Sequence, residues 1–282
     1  ETMKMPVESC HVGEYNILEH TDLGEGWFRI DIDAPEIARE TRAGQFVQVR
    51  VGPGDDPLIR RPFSVYDVGP EPGENATEIR LLIQKAGPGT EALSRLRKGE
   101  SIRLMGPLGH PMPVPDLKSP AAMFLVGGGI GVAPLYLYCR ERLKEGSTLP
   151  LKVMLGARRE SLLIGHQGFQ DLGIETYLAT DDGSAGHQGN VIELLDQQLG
   201  SLSEGTQVAG IGCGPHGMNL ALRDIAVERD LEFWISLENY MPCGFGACFG
   251  CVIAGPSDGP LRYRRVCVEG PCFPAKELPE TF

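Results

Sequence analysis

The period of the hydrophobic positions changes about a third of the way along the chain. From Trp27 to about Leu104 apolar and polar residues alternate: Phe28, Ile30 and Ile32 stand against Arg29, Asp31 and Asp33. The same pattern continues in Phe46-Val47-Gln48-Val49-Arg50-Val51, Ile79-Arg80-Leu81-Leu82-Ile83 and Ile102-Arg103-Leu104. Alternation in short runs punctuated by Gly and Pro predicts half-buried strands of an antiparallel barrel or sandwich.

Past the proline-rich stretch from His110 to Pro120, continuous apolar runs alternate with helical spacing. Strands are expected at Met123–Val126, Leu151–Leu155, Glu175–Ala179 and Gln207–Ile211. Helices are expected at Val132–Leu143, near Phe169, at Val191–Leu199 and at Met218–Glu228. Strands alternating with helices imply a doubly wound parallel sheet. From about Ser236 the periodicity gives way to Gly, Pro and Cys. The expected fold class is therefore β plus α/β: an antiparallel β-barrel over residues 1–116, a doubly wound parallel-sheet domain over 117–235 and a small cysteine module over 236–282.

Charge narrows the partners. A formal net charge of −12 weighs against nucleic acid, because phosphate binding needs a basic face. No charge interrupts Ser119 to Cys139, yet Gly127, Gly128, Gly129, Gly131 and Pro134 break that run, which reads as strand, turn and helix start rather than a membrane span. The residues from Glu1 to Lys4 lack the character of a secretory signal. A cytoplasmic protein without a membrane partner is expected.

Of eight cysteines, Cys243, Cys248, Cys251, Cys267 and Cys272 crowd the last stretch of the chain, and clustering of this kind points to metal. Cys243-x4-Cys248-x2-Cys251 followed by Cys267 has the ligand spacing of a plant-type 2Fe–2S centre. Gly244, Gly246, Ala247 and Gly250 are small enough to let the loop curl around an inorganic core. A structural zinc site also uses four thiolates, but zinc ribbons usually pair two Cys-x-x-Cys knuckles and only one is present here. Cys272 reads as a bystander, and Cys10, Cys139 and Cys213 stand apart.

Gly127-Gly128-Gly129-Ile130-Gly131-Val132-Ala133-Pro134 follows an apolar strand and opens a helix. That is the setting for pyrophosphate at a helix N-terminus, with glycines removing side chains where a ligand comes close. A plain strand-to-helix turn is the alternative. Gly156-Ala157-Arg158-Arg159, Thr180-Asp181-Asp182-Gly183-Ser184 and Cys213-Gly214-Pro215 each follow an expected strand. Open α/β sheets bind ligands at such ends, although each could be an ordinary turn. In the first third, Arg60-Arg61-Pro62-Phe63-Ser64 and Lys85-Ala86-Gly87-Pro88-Gly89-Thr90 suit a flavin nucleotide: an arginine grips phosphate and a Gly-Thr turn offers N–H groups. Thr90 is equally plausible as a helix N-cap.

From Ala43-Gly44-Gln45-Phe46 through Gly106-Pro107-Leu108-Gly109 to the last cysteines, the chain resembles the electron-transfer subunits of dihydroorotate dehydrogenase B, within the ferredoxin–NADP reductase superfamily. The resemblance implies that Arg61, Pro62, Phe63 and Ser64 form the flavin motif, with the arginine on the FAD phosphate and Ser64 near the reactive ring nitrogen. It makes Gly87, Gly89 and Thr90 the pyrophosphate turn and Gly127, Gly128, Gly129, Gly131 and Pro134 the nicotinamide-nucleotide loop. Cys213, Gly214 and Pro215 would face the nicotinamide, leaving Ser64 and Cys213 as the candidate catalytic contacts. Cys243, Cys248, Cys251 and Cys267 match the cluster ligands one for one. Arg158 and Asp181 would lie on the NAD side, and the Arg158-Arg159 pair leaves the choice between NAD and NADP open.

The implied cofactors are FAD and a 2Fe–2S cluster, with NAD(H) as co-substrate. The implied partner is an FMN-containing dihydroorotate dehydrogenase catalytic subunit, in a heterotetramer of two and two, serving pyrimidine biosynthesis. Nicotinamide exchanges hydride and a cluster takes single electrons, so a flavin must stand between them. Related subunits of cytosolic hydrogenases, sulfide dehydrogenases or ferredoxin:NADP oxidoreductases are an alternative. A zinc-stabilised nucleotide-binding regulator is an alternative of a different class.

Overall fold

A computed structural model describes residues 10–50, 59–256, 259 and 262–282. Val51, at the end of the second run of expected strands, and the N-terminal residues from Glu1 to Lys4 lie outside these.

The first third forms seven strands: β1 His11–Gly24, β2 Trp27–Asp33, β3 Phe46–Arg50, β4 Arg61–Ser64, β5 Asp67–Gly69, β6 Glu78–Gln84 and β7 Ser101–Leu108. They make one antiparallel sheet in the order β4-β3-β7-β1-β2-β6-β5. Contacts between β4 and β6 curl it toward a half-barrel. Two short helices, α1 Pro35–Glu40 and α2 Pro88–Leu93, complete it. The inward residues Phe28, Ile30, Ile32, Val47, Val49, Ile79, Leu81 and Leu104 are all buried, as alternation requires.

Strand β1 was not foreseen. Its register against β2 shifts between Ile17 and Glu19, and a bulge of that kind slips the period by one residue and erases the alternating signal. Only Ile17 of its residues is buried. On β2, Asp31 was expected to point to solvent. It is buried instead, with Arg29 2.8 Å away and Arg80 at 3.8 Å. Burial pushes its carboxyl up, against the pull of the two arginines.

The second sheet contains β8 Ala121–Gly128, β9 Leu151–Ala157, β10 Glu175–Thr180, β11 His187–Gln188, β12 Gln207–Cys213 and β13 Glu232–Ser236. Helices α3 Ala133–Lys144, α4 His166–Asp171, α5 Val191–Gly200 and α6 His216–Glu228 alternate with them. The cysteine segment adds the ribbon β14 Val252–Ala254 with β15 Tyr263–Arg265 and the short helix α7 Val266–Glu269. The tail strand β16 Cys272–Pro274 then joins the second sheet antiparallel to β13. The order is β11-β10-β9-β8-β12-β13-β16, parallel apart from β16. Strand β8 is buried along nearly its whole length, which accounts for its continuous apolar run. The expected helix from Val191 is capped by Asn190, whose side chain accepts from the N–H groups of Ile192 and Glu193 at 3.0 Å. Strand β13 went unforeseen because its apolar run, Phe233 to Ile235, is too short to tell strand from helix.

The chain divides into two compact units. One comprises the residues up to Met112, Glu238–Ile253 and the stretch ending at Pro271; the other comprises Pro113–Leu237 and the tail Cys272–Phe282. The four candidate ligand cysteines therefore belong to the unit of the half-barrel, while Cys272 belongs to that of the parallel sheet. Among the described residues no helix is long and apolar enough to cross a membrane.

Candidate functional site

The cysteine loop turns through left-handed backbone at two glycines and at Phe249. Gly244 and Gly246 have φ of +79° and +87°, a region that costs a residue with a Cβ about 1–2 kcal/mol. Turning there points successive N–H groups inward. Burial opposes ionisation of Cys243, but the N–H groups of Cys248, Phe245 and Ala247 and the Cys248 thiol outweigh it and bring Cys243 down to about 7. At Cys251 the hydrogen bond from the Cys267 thiol leads, over burial, and N–H groups of Cys267 and Val266 add to it, bringing Cys251 down to about 6. Cys267, which supplies that proton and is buried, is pushed up.

The sulfurs come together as two pairs. Cys251 and Cys267 lie 3.2 Å apart, and the Cys248 thiol bonds Cys243. Among the described residues no three His, Cys, Asp or Glu side chains converge to hold one metal ion. Two pairs of soft donors, with N–H groups aimed at the sulfurs, suit the two irons of a 2Fe–2S cluster.

A residue that the sequence reading passed over ties this loop to the half-barrel. Gln48 on β3 is fully buried. Its amide donates to the Met241 carbonyl at 2.6 Å, and a Cβ on Gly244 would meet its side chain at 2.6 Å. Gln48 stands opposite Pro62 on β4, so one glutamine links the cysteine loop to the strand carrying the expected flavin motif. Alternation puts Gln48 on the polar side of its strand, so the sequence carries no signal of its burial.

On β4, Arg61, Pro62, Phe63 and Ser64 are half-buried. The Arg61 guanidinium donates to the Ile59 carbonyl at 2.6 Å, and Ser64 lies opposite Phe46. Beside Arg61, Arg60 has a buried Nη1 with no hydrogen-bond partner among the described residues. Burial and the neighbouring charges of Arg50 and Arg103 lower its pKa. Excess positive charge of this kind suits an anionic ligand. Thr90 is not an N-cap. Helix α2 starts at Pro88 with Gly87 as its cap, and Thr90 sits in the first turn. Its hydroxyl accepts from the N–H groups of Ala86 at 2.8 Å and Gly87 at 3.1 Å, and donates to the Gly87 carbonyl. The threonine shapes the turn and occupies two of the N–H groups expected to face a ligand.

In the parallel sheet the chain runs outward from β8 to β9 and β10, then returns to β12 on the other side. The switch point lies between β8 and β12, where such sheets bind nucleotides. Both expected motifs meet there. A Cβ on Gly131 would stand 1.9 Å from the Cys213 carbonyl oxygen, and one on Gly128 would meet Met218 at 2.7 Å and Pro215 at 2.9 Å. A Cβ on Gly127 would meet Leu155 at 2.9 Å. These three glycines make room for the protein's own chain: the end of β12, the start of α6 and Leu155 on β9. Only Gly129, with φ +54° and nothing within 4 Å of its Cβ direction, faces open space. Pro134 is buried in the first turn of α3. Cys213 ends β12, 3% exposed, opposite Gly127 on one side and Ser236 on the other. The Gly214 carbonyl accepts from Asn219 at 3.0 Å. At the ends of β9 and β10, Asp181 and Asp182 donate their N–H groups to Ala157 and Arg158, which brings Arg158 and Asp181 side by side. Both are exposed.

Known proteins share these features. Residues 19–112 match the oxidoreductase FAD-binding domain, and residues 238–279 match the iron–sulfur cluster binding domain of dihydroorotate dehydrogenase B. A dihydroorotate dehydrogenase B (NAD(+)) electron transfer subunit from Geobacillus sp. (strain WCH70) is 34% identical, over 94% of this chain and 97% of the relative. That of Desulforamulus reducens is 36% identical over 89% and 92%. Among solved structures, an NADH-dependent reduced ferredoxin-NADP oxidoreductase matches with a TM-score of 0.79 and 28% identity, over 94% of this chain and 89% of that one. The ferredoxin reductase of a carbazole 1,9a-dioxygenase matches with a TM-score of 0.66 at 17% identity, which shows the fold. With identity at this level sustained along nearly the full length, the chain belongs to the family of dihydroorotate dehydrogenase B electron transfer subunits.

Proposed function

We propose that this chain passes electrons between an FMN-containing catalytic subunit that oxidises dihydroorotate, its own 2Fe–2S cluster and FAD, and NAD⁺, in pyrimidine biosynthesis in the cytosol. The observation that carries the reading is the pairing of Cys243 with Cys248 and of Cys251 with Cys267 inside the segment that matches the iron–sulfur model. FAD supplies the exchange between hydride and single electrons that neither nicotinamide nor cluster performs alone.

The chain's residues bind, orient and exclude water. Arg61 would hold the flavin phosphate, with Pro62 and Phe63 fixing the strand and Ser64 offering its hydroxyl to the ring. Gly87, Gly89 and Thr90 would form the wall along the pyrophosphate. Gly129 leaves space for the nicotinamide nucleotide above a turn that Gly127, Gly128, Gly131 and Pro134 hold in shape. Cys213, Gly214 and Pro215 would flank the nicotinamide, and Arg158 and Asp181 the adenosine ribose. Cys243, Cys248, Cys251 and Cys267 would hold the irons. Residues 236–282 would then work as a cluster module.

Around the cysteines, Tyr240 is 87% exposed and Phe249 60%, with Phe245 and Tyr263 also uncovered. Large exposed aromatics gathered at one place fit a protein interface, here the catalytic subunit of a two-and-two heterotetramer. Likeness to the NADH-dependent reduced ferredoxin-NADP oxidoreductase favours a second reading, in which the partner belongs to a ferredoxin-linked enzyme; the flavoprotein that co-purifies with the chain distinguishes them.

Produced with ample iron and riboflavin, the full chain should be brown-yellow, contain iron rather than zinc, and reduce artificial acceptors with NADH. Dihydroorotate should be oxidised only once the catalytic subunit is added. A colourless zinc protein, or dihydroorotate oxidation by the chain alone, overturns the proposal. Replacing Cys251 by Ser should remove or weaken the EPR signal of the reduced protein while leaving flavin absorption, and an unchanged signal would take Cys251 out of the ligand set.

A further inference from the structure

Next to the cysteine loop stands an ion pair with no part in the ligand set. Arg265 and Glu269, at opposite ends of α7, meet in a fork: Nη2 lies 2.5 Å and Nε 3.2 Å from Oε1, while the Arg265 backbone N–H donates to Oε2 at 2.5 Å. Both side chains are largely withdrawn from solvent, 13% and 19% exposed. Arg265 reaches further, donating from Nη1 to the Gly246 carbonyl at 3.3 Å, and its guanidinium carbon lies 5.3 Å over the Phe249 ring. The peptide whose carbonyl it holds is the one whose N–H, from Ala247, points at the Cys243 sulfur. On the other side it is close enough for charge on Cys267 and Cys251 to act on it.

We propose that the Arg265–Glu269 pair sets the reduction potential of the cluster, the arginine raising it and the glutamate offsetting part of that rise. The inference rests on the reading that the four cysteines hold a 2Fe–2S cluster. Reduction adds one electron to the cluster and makes it one unit more negative, while no protein bond forms or breaks. A fixed positive charge in a partly buried, weakly screened position favours the state with more negative charge, and a fixed negative charge disfavours it. Net charge around the cluster and hydrogen bonds to its sulfurs are the means by which proteins tune such potentials, and Arg265 touches both. A helix-end clamp alone would not need a side chain that spans from Glu269 to Gly246 and covers an aromatic ring.

The test is an EPR-monitored redox titration of the full flavin-loaded chain, with dithionite as the electron source. Arg265→Gln should move the midpoint to more negative potential, by roughly tenfold in the reduced-to-oxidised ratio at a given applied potential, or about 59 mV for one electron. Glu269→Gln should move it in the positive direction, and Arg265→Lys, which keeps the charge and loses the fork, should stay near the wild type. Opposite shifts are the expected signature, because damage to the loop would move both variants the same way. Shifts of one sign, or none, overturn the tuning role while leaving the cluster in place. Should Arg265→Gln lose its iron, Glu269→Gln still decides the sign, with Arg265→Lys as the control that keeps the charge. A wild-type chain that carries zinc overturns the cluster reading itself, and the tuning role with it.

Discussion

In the cysteine loop, Gly244 and Gly246 are required twice over, by backbone at φ +79° and +87° and by Gln48 and Val268 packed against them; in the nucleotide turn, three of four glycines are required by neighbours alone and only Gly129 has positive φ. Both segments read alike along the chain, as glycine-rich turns around a bound group. The difference is what comes close. At the cysteines the curl brings N–H groups onto sulfur, so the glycines serve the site directly. At the nucleotide turn the curl brings β8 and α3 against the end of β12, so the glycines serve the sheet's switch point.

Gly131→Ala probes this contrast hardest. Its Cβ would meet backbone atoms of Cys213 that cannot rotate away, so a stability loss of about 3 kcal/mol or more is expected, read by chemical denaturation and accompanied by loss of NADH binding. A stable variant that binds NADH would remove the packing argument. Gly246→Ala should cost less, about 1–2 kcal/mol for the left-handed backbone, with added crowding against Val268 at 2.4 Å. Its mark should be iron content, since the loop must open to relieve the strain. If iron is retained and only the melting temperature falls, the glycine serves folding rather than the sulfurs. Gly129→Ala meets nothing in the protein, so only backbone strain of about 1 kcal/mol is expected. NADH affinity should nevertheless fall more than stability does, by titration. Unchanged affinity would mean that the nucleotide does not pass over Gly129.

Much of the architecture was legible because local patterns carried it. The helix at Val191–Gly200 and the strand at Leu151–Ala157 fall within two residues of their expected limits, and long periodic or fully buried runs are the strongest signals available. Strand β1 was illegible because a bulge shifts its register. The tail strand β16 was illegible because three residues, Cys272 to Pro274, carry no period and pair with β13 from far along the chain. Thr90 could be read as a cap or a ligand contact, and its actual partners are the N–H groups of its own turn. Gln48 could not be connected with the cysteines, because the bond to Met241 spans most of the chain.

The residue types and their spacing settle the chemistry available here: four thiolates at ferredoxin-like intervals, an arginine-serine strand and a glycine-rich strand end, since these depend on neighbours along the chain. Which cysteines pair, which glycines are free to face a ligand, and which arginine stands beside the sulfurs are set by contacts between segments distant in sequence. Such contacts leave no local period to read, because each is a choice among many folded alternatives that packing alone resolves.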